Sequence, residues 1–529
     1  MASHGIEIEK KYDVDDSAVV PPLTDLPGVA SVGEPHMATL EAVYFDTEGH
    51  TLASRRITLR RRTGGTDAGW HLKLPAATSA GAGSDPGPDP GPRQRQELHA
   101  PLGQAAVVPD KLMAHLQAYL RGAGVAPVVR LETQRTTYPL YGGDGVHLAD
   151  LADDRVQAQA LNGGGPAGEG QTQHWREWEL ELVHGSLDLF PAAEDALAAA
   201  GARPAPHASK LARVLGQAEG AAAGGTPPDV TAAPGKRSPA SALVTAYLAG
   251  QIREILAHDP GVRLEEREAV HAMRSATRRA RSALGAYRRL YSAVAVRRLR
   301  DELKWLGRVL GAPRDAEVLL AQLRGHADDL PAGTAAAAVK ASIERELGTR
   351  FDSGYRRMQE VLQSERYFRL LDDLEAFRDR PPLRPEAAAS GRKLAAKLVD
   401  KAAKRLRRSH KAAKDARRGA PHETALHQVR KDAKRLRHVA ESARPVHGKR
   451  AAKIAGAAGR QQKVLGGFHD SVMARDLLGD LGAEPDLPEA VASAYVTLRT
   501  RQVQLVADAE AQYRKARKKS RKLLRRGVI

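Results

Sequence analysis

Ile6-Glu7-Ile8-Glu9-Lys10-Lys11, read as a β-strand, puts Glu7, Glu9 and Lys11 on one face and leaves the other mainly apolar. Side chains two apart on a strand share a side, and the charged wall runs for roughly 13 Å at ~3.3 Å per residue. Carboxylates on one wall repel each other unless a cation lies beside them. Their oxygens are hard ligands, and Mg²⁺ is typically held by one or two carboxylates together with substrate phosphates. The strand therefore predicts a metal and a phosphate ester.

Period-two alternation recurs before residue 216, at Ala42–Phe45, Ile57–Arg62, Trp70–Leu74, Arg93–His99, Val128–Tyr138, Val146–Leu151 and Trp175–Val183. Short strands bounded by Gly, Pro or Asp predict a barrel or sandwich. Their polar faces carry Arg60 and Arg62, His71 and Lys73, Arg93, Arg95 and Glu97, then Glu177, Glu179 and Glu181. On one strand a solvated face accounts for such charges; repeated over several, they predict an inward, charged tunnel. Glu7 and Glu9 would face Glu179 and Glu181 across it, with helices at Pro109–Leu120 and Leu187–Ala200 outside. Ala76 to Pro92 reads as a flexible insertion and Gly216 to Pro239 as a linker, since both are Gly/Ala/Pro-rich.

Beyond residue 239 the period becomes helical. Val270–Arg281 aligns with Leu426–Arg437, and Val309–Asp315 with Val464–Asp470, which predicts an internal duplication. Within it, His271, Arg274, Arg278 and Arg281 form one stripe, repeated as His427, Arg430, Lys434 and Arg437. Like charges at that spacing cost stability unless an anion neutralises them. The protein has 529 residues and a net charge of +19, but from Lys236 onward there are 63 Lys+Arg against 34 Asp+Glu, leaving 19 against 29 before it. The basic half seeks a polyanion. Aromatic residues make up only 4% of the chain, too few for base-stacking platforms, so inorganic polyphosphate suits it better than nucleic acid. The Arg514–Arg526 run reads as a solvated or nonspecific anion-binding tail.

The chain has no cysteine, which excludes disulfides and thiolate chemistry and fits a reducing cytoplasm. No signal peptide or long apolar run is evident, so a soluble protein without membrane insertion is expected. P-loop, HExxH, GxSxG and GxGxxG signatures before a suitable helix are missing, leaving the corresponding chemistries without support.

Residues 1–215 resemble a CYTH domain of the triphosphate tunnel metalloenzymes, through Glu7–Lys11, Tyr44–Thr47, Thr58–Arg62, Trp70–Lys73, Glu177–Glu181 and Ser209-Lys210. Residues 240–525, with copies at about 240–385 and 386–525, resemble a CHAD domain through the paired His-x-x-Arg helices and the Arg314-Asp315 and His469-Asp470 turns. The resemblance implies a multidomain chain: an N-terminal α+β domain with a closed eight-stranded antiparallel β-barrel tunnel, then an all-α duplicated helical bundle. It further implies an inorganic triphosphatase using Mg²⁺ or Mn²⁺, with Glu7, Glu9 and Lys11 catalytic. Metal ligands would be Glu7, Glu9, Asp150, Glu177, Glu179 and Glu181; triphosphate ligands would be Lys11, Arg60, Arg62, Lys73, Arg95, Arg135 and Lys210. Polyphosphate would meet His271, Arg274, Arg278, Arg281, Lys304, Arg308, His427, Arg430, Lys434, Arg437, Lys463 and His469, with association at polyphosphate granules. A granule-targeting scaffold with little turnover is the alternative, ahead of a thiamine triphosphatase or an adenylate cyclase.

Overall fold

The computed structural model describes residues 4–75, 92–161, 172–207, 209–216, 234–266, 268–331 and 335–528. Residues 76–91 of the expected insertion and 217–233 of the expected linker lie outside them. The chain divides into two units, Met1–Thr226 and Pro227–Ile529.

In the first unit, the strands are β1 (His4–Val14), β2 (Ser31–Val32), β3 (His36–Asp46), β4 (Thr58–Thr63), β5 (Gly69–Pro75), β6 (Arg93–Ala100), β7 (Ala126–Tyr141), β8 (His147–Ala160), β9 (Thr172–Leu182) and β10 (Arg203–Pro204). Eight of them run β1-β6-β5-β4-β3-β7-β8-β9, and β9 pairs back onto β1, all antiparallel, so the barrel closes without a free edge. β2 and β10 are short additions on β7 and β1.

Alternation divides each strand between two environments. The outer faces of β3–β6 (Phe45, Leu59, Trp70, Leu72, Leu98) pack on α1 (Asp110–Leu120). Tyr12, Leu151, Trp178 and Leu180 pack on α2 (Leu189–Ala199). Inward residues Ala42, Tyr44, Leu131, Val156 and Ala158 instead receive α3 (Lys210–Val214), which plugs one end of the barrel through Leu211 and Val214. Ser209 caps α3, its hydroxyl accepting from the Ala212 amide at 3.1 Å.

The second unit comprises α4 (Ala240–Arg263), α5 (Ala269–Ala286), α6 (Ala293–Val309), α7 (Gly311–Asp328), α8 (Ala336–Leu362), α9 (Glu365–Asp379), α10 (Gly391–Asp415), α11 (Ala420–Ser442), α12 (Arg444–Leu481) and α13 (Glu489–Arg526). Order follows the duplication: α4 and α5 correspond to α10 and α11, α6 with α7 to α12, and α8 to α13. α12 is interrupted only at Gly448, whose φ is +50°. α9, which Ser364 caps, holds Tyr367, Phe368 and Leu371 in the core. Arg514–Arg526 forms the last turns of α13, with most of its Lys and Arg exposed and the helix anchored by buried Tyr513 and Leu524 and by a hydrogen bond from Gln461 to Ser520 at 2.7 Å. No helix among the described residues is long and apolar enough to cross a membrane.

Candidate functional site

Inside the barrel, a cavity of about 120 Å³ is lined by seven cations (Lys11, Arg60, Arg62, Lys73, Arg95, Arg135, Lys210) and six carboxylates (Glu7, Glu9, Asp67, Glu97, Glu179, Glu181). Strand register arranges them. Glu9 stands opposite Glu181 and Lys11 opposite Glu179, because β1 and β9 are neighbours. The expected arrangement across the barrel is thus replaced by one side by side, and like charges directly opposite destabilise a strand pair unless a cation joins them.

Most of these groups are paired. Lys73 bridges to Glu7, Lys11 to Glu179 and Arg62 to Asp67. Arg95 reaches Glu9 at 3.1 Å, while Arg135 spans Asp154 and Glu179, each at 2.6 Å. Lys210, 8% exposed at the start of the plug helix, lies 2.8, 2.7 and 2.5 Å from Asp154, Glu177 and Glu179. Burial would raise the Glu9 carboxyl, but Lys11, Lys73 and Arg95 outweigh it and hold it at about 2. Glu181 shows the opposite balance: burial, then Glu7 and Glu9, push it up to about 7. On the cationic wall, burial and then Arg60 and Arg135 lower Arg62 to about 9.

These residues fit a divalent cation. Glu7 Oε2 is buried without a hydrogen-bond partner, and the elevated Glu181 is the mark of carboxylates gathered without enough positive charge. Oxygens of Asp154, Glu177 and Glu179 also converge within 4.8 Å, but Arg135, Lys210 and Lys11 already neutralise that group.

In the helical unit, a cavity of about 1660 Å³ is lined by sixteen Lys or Arg against three Asp, with no Phe, Tyr or Trp among the described residues. Burial, then Arg278, Arg430, Arg281 and Arg274, lower Lys434 to about 7. Burial and then Arg274 lower Arg278 to about 10. Such depression marks cations that lack an anion.

The CYTH domain family matches residues 5–213 and the CHAD domain family residues 246–479. The chain belongs to the CYTH–CHAD proteins. MT2285 and Rv2226 of Mycobacterium tuberculosis are each 38% identical to it over 485 residues, covering 89% of this chain and 88% of theirs. Among solved structures it is similar to PptA from Streptomyces chartreusis (22% identity, 53% of this chain and 99% of that one, TM-score 0.46). It is also similar to the CHAD domain from the plant Ricinus communis (26% identity, 54% and 93%, TM-score 0.44). Members of the CYTH superfamily are usually triphosphate tunnel metalloenzymes.

All seven cations expected for triphosphate line the CYTH tunnel, as do Glu7, Glu9, Glu179 and Glu181. Glu177 is buried behind the lining, accepting from Trp175 Nε1 at 2.6 Å. Asp150 shares the inward face of β8 but is not in the lining, its Oδ1 2.8 Å from His147 Nε2; the β8 carboxylate that meets Arg135 and Lys210 is Asp154, which sequence reasoning missed. Asp67 and Tyr44 were missed as lining residues too.

The CHAD cavity gathers His271, Arg274, Arg278, Arg281, Lys304, His427, Arg430, Lys434 and His469. Arg308, Lys463 and Arg437 are not in its lining. Arg437 is held instead by Glu441, four residues on, at 2.8 Å; the matching position in the first copy is Gly285, which leaves Arg281 unclaimed for the cavity. Lys397, Lys401 and Arg405 of α10 also line it, at the i, i+4, i+8 spacing of one helix face, the signal that could have found them.

Proposed function

We propose that the CYTH tunnel hydrolyses inorganic triphosphate to pyrophosphate and phosphate with Mg²⁺ or Mn²⁺, and that the CHAD cavity binds inorganic polyphosphate. The observation that carries this is the near balance of seven cations and six carboxylates in one closed lumen. A phosphate chain entering alone meets carboxylates; a metal entering alone leaves the cations without anions. The two satisfy the tunnel together.

Glu7, Glu9, Glu179 and Glu181 would hold the cation, which supplies Lewis-acid polarisation of a phosphate oxygen and an activated water. Arg60, Arg62 and Lys73 would take phosphate oxygens, Arg through paired N–H donors and Lys as a point charge. Lys73 and Arg62 are paired with the tunnel's own Glu7 and Asp67, and Arg60 with the Tyr44 hydroxyl at 3.4 Å, so ligand binding exchanges internal for external contacts without new desolvation of the cations. Charge building on the leaving oxygens in the transition state falls among groups already fixed by the barrel. Tyr44 is the only aromatic residue in the lining among the described residues, so adenine or thiamine finds little to stack on there, which favours the inorganic substrate over a cyclase or thiamine triphosphatase.

In the CHAD cavity, an anion without bases suits a wall of cations without aromatic rings. A long phosphate polymer would satisfy Lys434 and Arg278 together, and through it the protein would associate with polyphosphate granules in the cytoplasm.

The test offers tripolyphosphate, ATP, thiamine triphosphate and long-chain polyphosphate, each with Mg²⁺ or Mn²⁺, to the wild type and to Glu7→Ala/Glu9→Ala. Orthophosphate release from tripolyphosphate that disappears in the variant supports the reading. Equal activity in both overturns the metal site, and no activity in either leaves the scaffold alternative.

A further inference from the structure

His71 faces two acceptors. It is 3% exposed on β5, its Nδ1 3.0 Å from Glu97 Oε1 and its Nε2 3.0 Å from the Asp67 backbone oxygen. A carbonyl and an ionised carboxylate accept only, whereas a neutral imidazole has one N–H and one lone pair. Neutral His71 beside ionised Glu97 therefore leaves a lone pair pointing at an oxygen. One further proton, on the ring or on Glu97, satisfies both contacts.

The surrounding charge decides whether that proton stays. Arg60 and Arg62 of β4 face the ring, as do Glu97 and His99 of β6, with Lys73 two residues along β5 and Asp67 in the preceding turn. Burial lowers the ring to about 4 despite Glu97, and Arg60 and Arg62 add to the lowering. A phosphate chain lying on those two arginines cancels their effect.

Resting on the tunnel reading above, we propose that triphosphate binding draws a proton onto the His71–Glu97 pair, which thereby positions the cations that grip the chain. The pair reaches both of them. Glu97 lies 4.0 Å from Lys73, and the carbonyl held by His71 belongs to Asp67, whose carboxylate bridges to Arg62. The turn between β4 and β5 is held close to β3: Gly64 has φ +78°, and a Cβ there would lie 2.1 Å from the Thr39 oxygen. His71 is a positioning residue and need not touch substrate.

Calorimetric titration of the full chain, in saturating Mg²⁺, with the non-hydrolysable imido analogue of tripolyphosphate, in buffers of unequal ionisation enthalpy, reads the protons taken up. The tunnel's share is the binding lost in Arg60→Ala/Lys73→Ala. Wild type should take up about one proton more at that site than His71→Gln. Glu97→Gln provides a second variant that keeps both ring contacts, because its amide donates to Nδ1 of a neutral imidazole; it should lose the same proton. Relative to Glu97→Gln, wild-type affinity should fall with rising pH by up to about tenfold per unit before levelling off. Equal proton counts in wild type and both variants overturn this inference and leave the tunnel reading intact. Absence of any tunnel share overturns the tunnel reading and this inference with it.

Discussion

His438 Nδ1 lies 2.9 Å from Ser282 Oγ, and the two residues are 156 apart in the chain, the offset that aligns the two CHAD copies. Equivalent positions in contact place the local two-fold axis between α5 and α11. Close by, Tyr287 and Ser442 share a hydrogen bond of 3.0 Å. The axis turns the two basic stripes toward one cavity, so that each copy depresses the other's cations: Arg430 acts on Arg278, and Arg278 on Lys434.

Arg274 is clamped by Asp315 through two hydrogen bonds of 2.8 and 2.9 Å. Asp315 therefore competes with phosphate for Arg274. Asp315→Asn should tighten polyphosphate binding, roughly fivefold if the clamp is worth ~1 kcal/mol, as measured by filter retention. Because Asp315 is 70% exposed, the melting temperature should barely move.

Lys434 sets the pH response of the anion-free protein. Its folded value of about 7 lies below the roughly 10.4 of an unfolded lysine. Between those values the unfolded chain holds a proton that the folded chain lacks, so stability rises with pH through that window and the penalty is full below it. Urea denaturation of the full chain from pH 6 to 10 should show this rise, and Lys434→Met should flatten it. Saturating polyphosphate should flatten it as well, by restoring the charge.

Lys210 neutralises Asp154, Glu177 and Glu179 from the plug helix. Lys210→Met leaves those buried carboxylates short of a cation and should cost about 3–5 kcal/mol in the CYTH unit. Thermal melting checks this, and acidification should recover part of the loss as the carboxylates take up protons.

Period-two charge patterns made the barrel and its lumen legible, since His71 and Lys73, or Glu177, Glu179 and Glu181, must point the same way on a strand. Closure came from the resemblance and is borne out, but no local pattern carries it: Lys11 and Glu179 are 168 residues apart, and nothing local dictates that the first and last long strands pair. Asp154 was not legible, because β8 carries several aspartates and only its pairing with β9, where Asp154 meets Glu177, decides which reaches the lysine on the plug. In the CHAD unit the duplication exposed α5 and α11, whereas Lys397, Lys401 and Arg405 on α10 carry only their shared helix face as a signal, with no repeated copy to set it apart from a solvated one.

The closed tunnel is proposed to join a metal and a triphosphate chain in one hydrolytic site, and phosphorus NMR of tripolyphosphate incubated with the full chain and Mg²⁺ or Mn²⁺ follows the products. Pyrophosphate and orthophosphate should appear in equal amounts, stop on adding a chelator, and fail to appear with Glu7→Ala/Glu9→Ala. Tripolyphosphate that persists unchanged with either metal, or that is cleaved equally well by the variant, would contradict it.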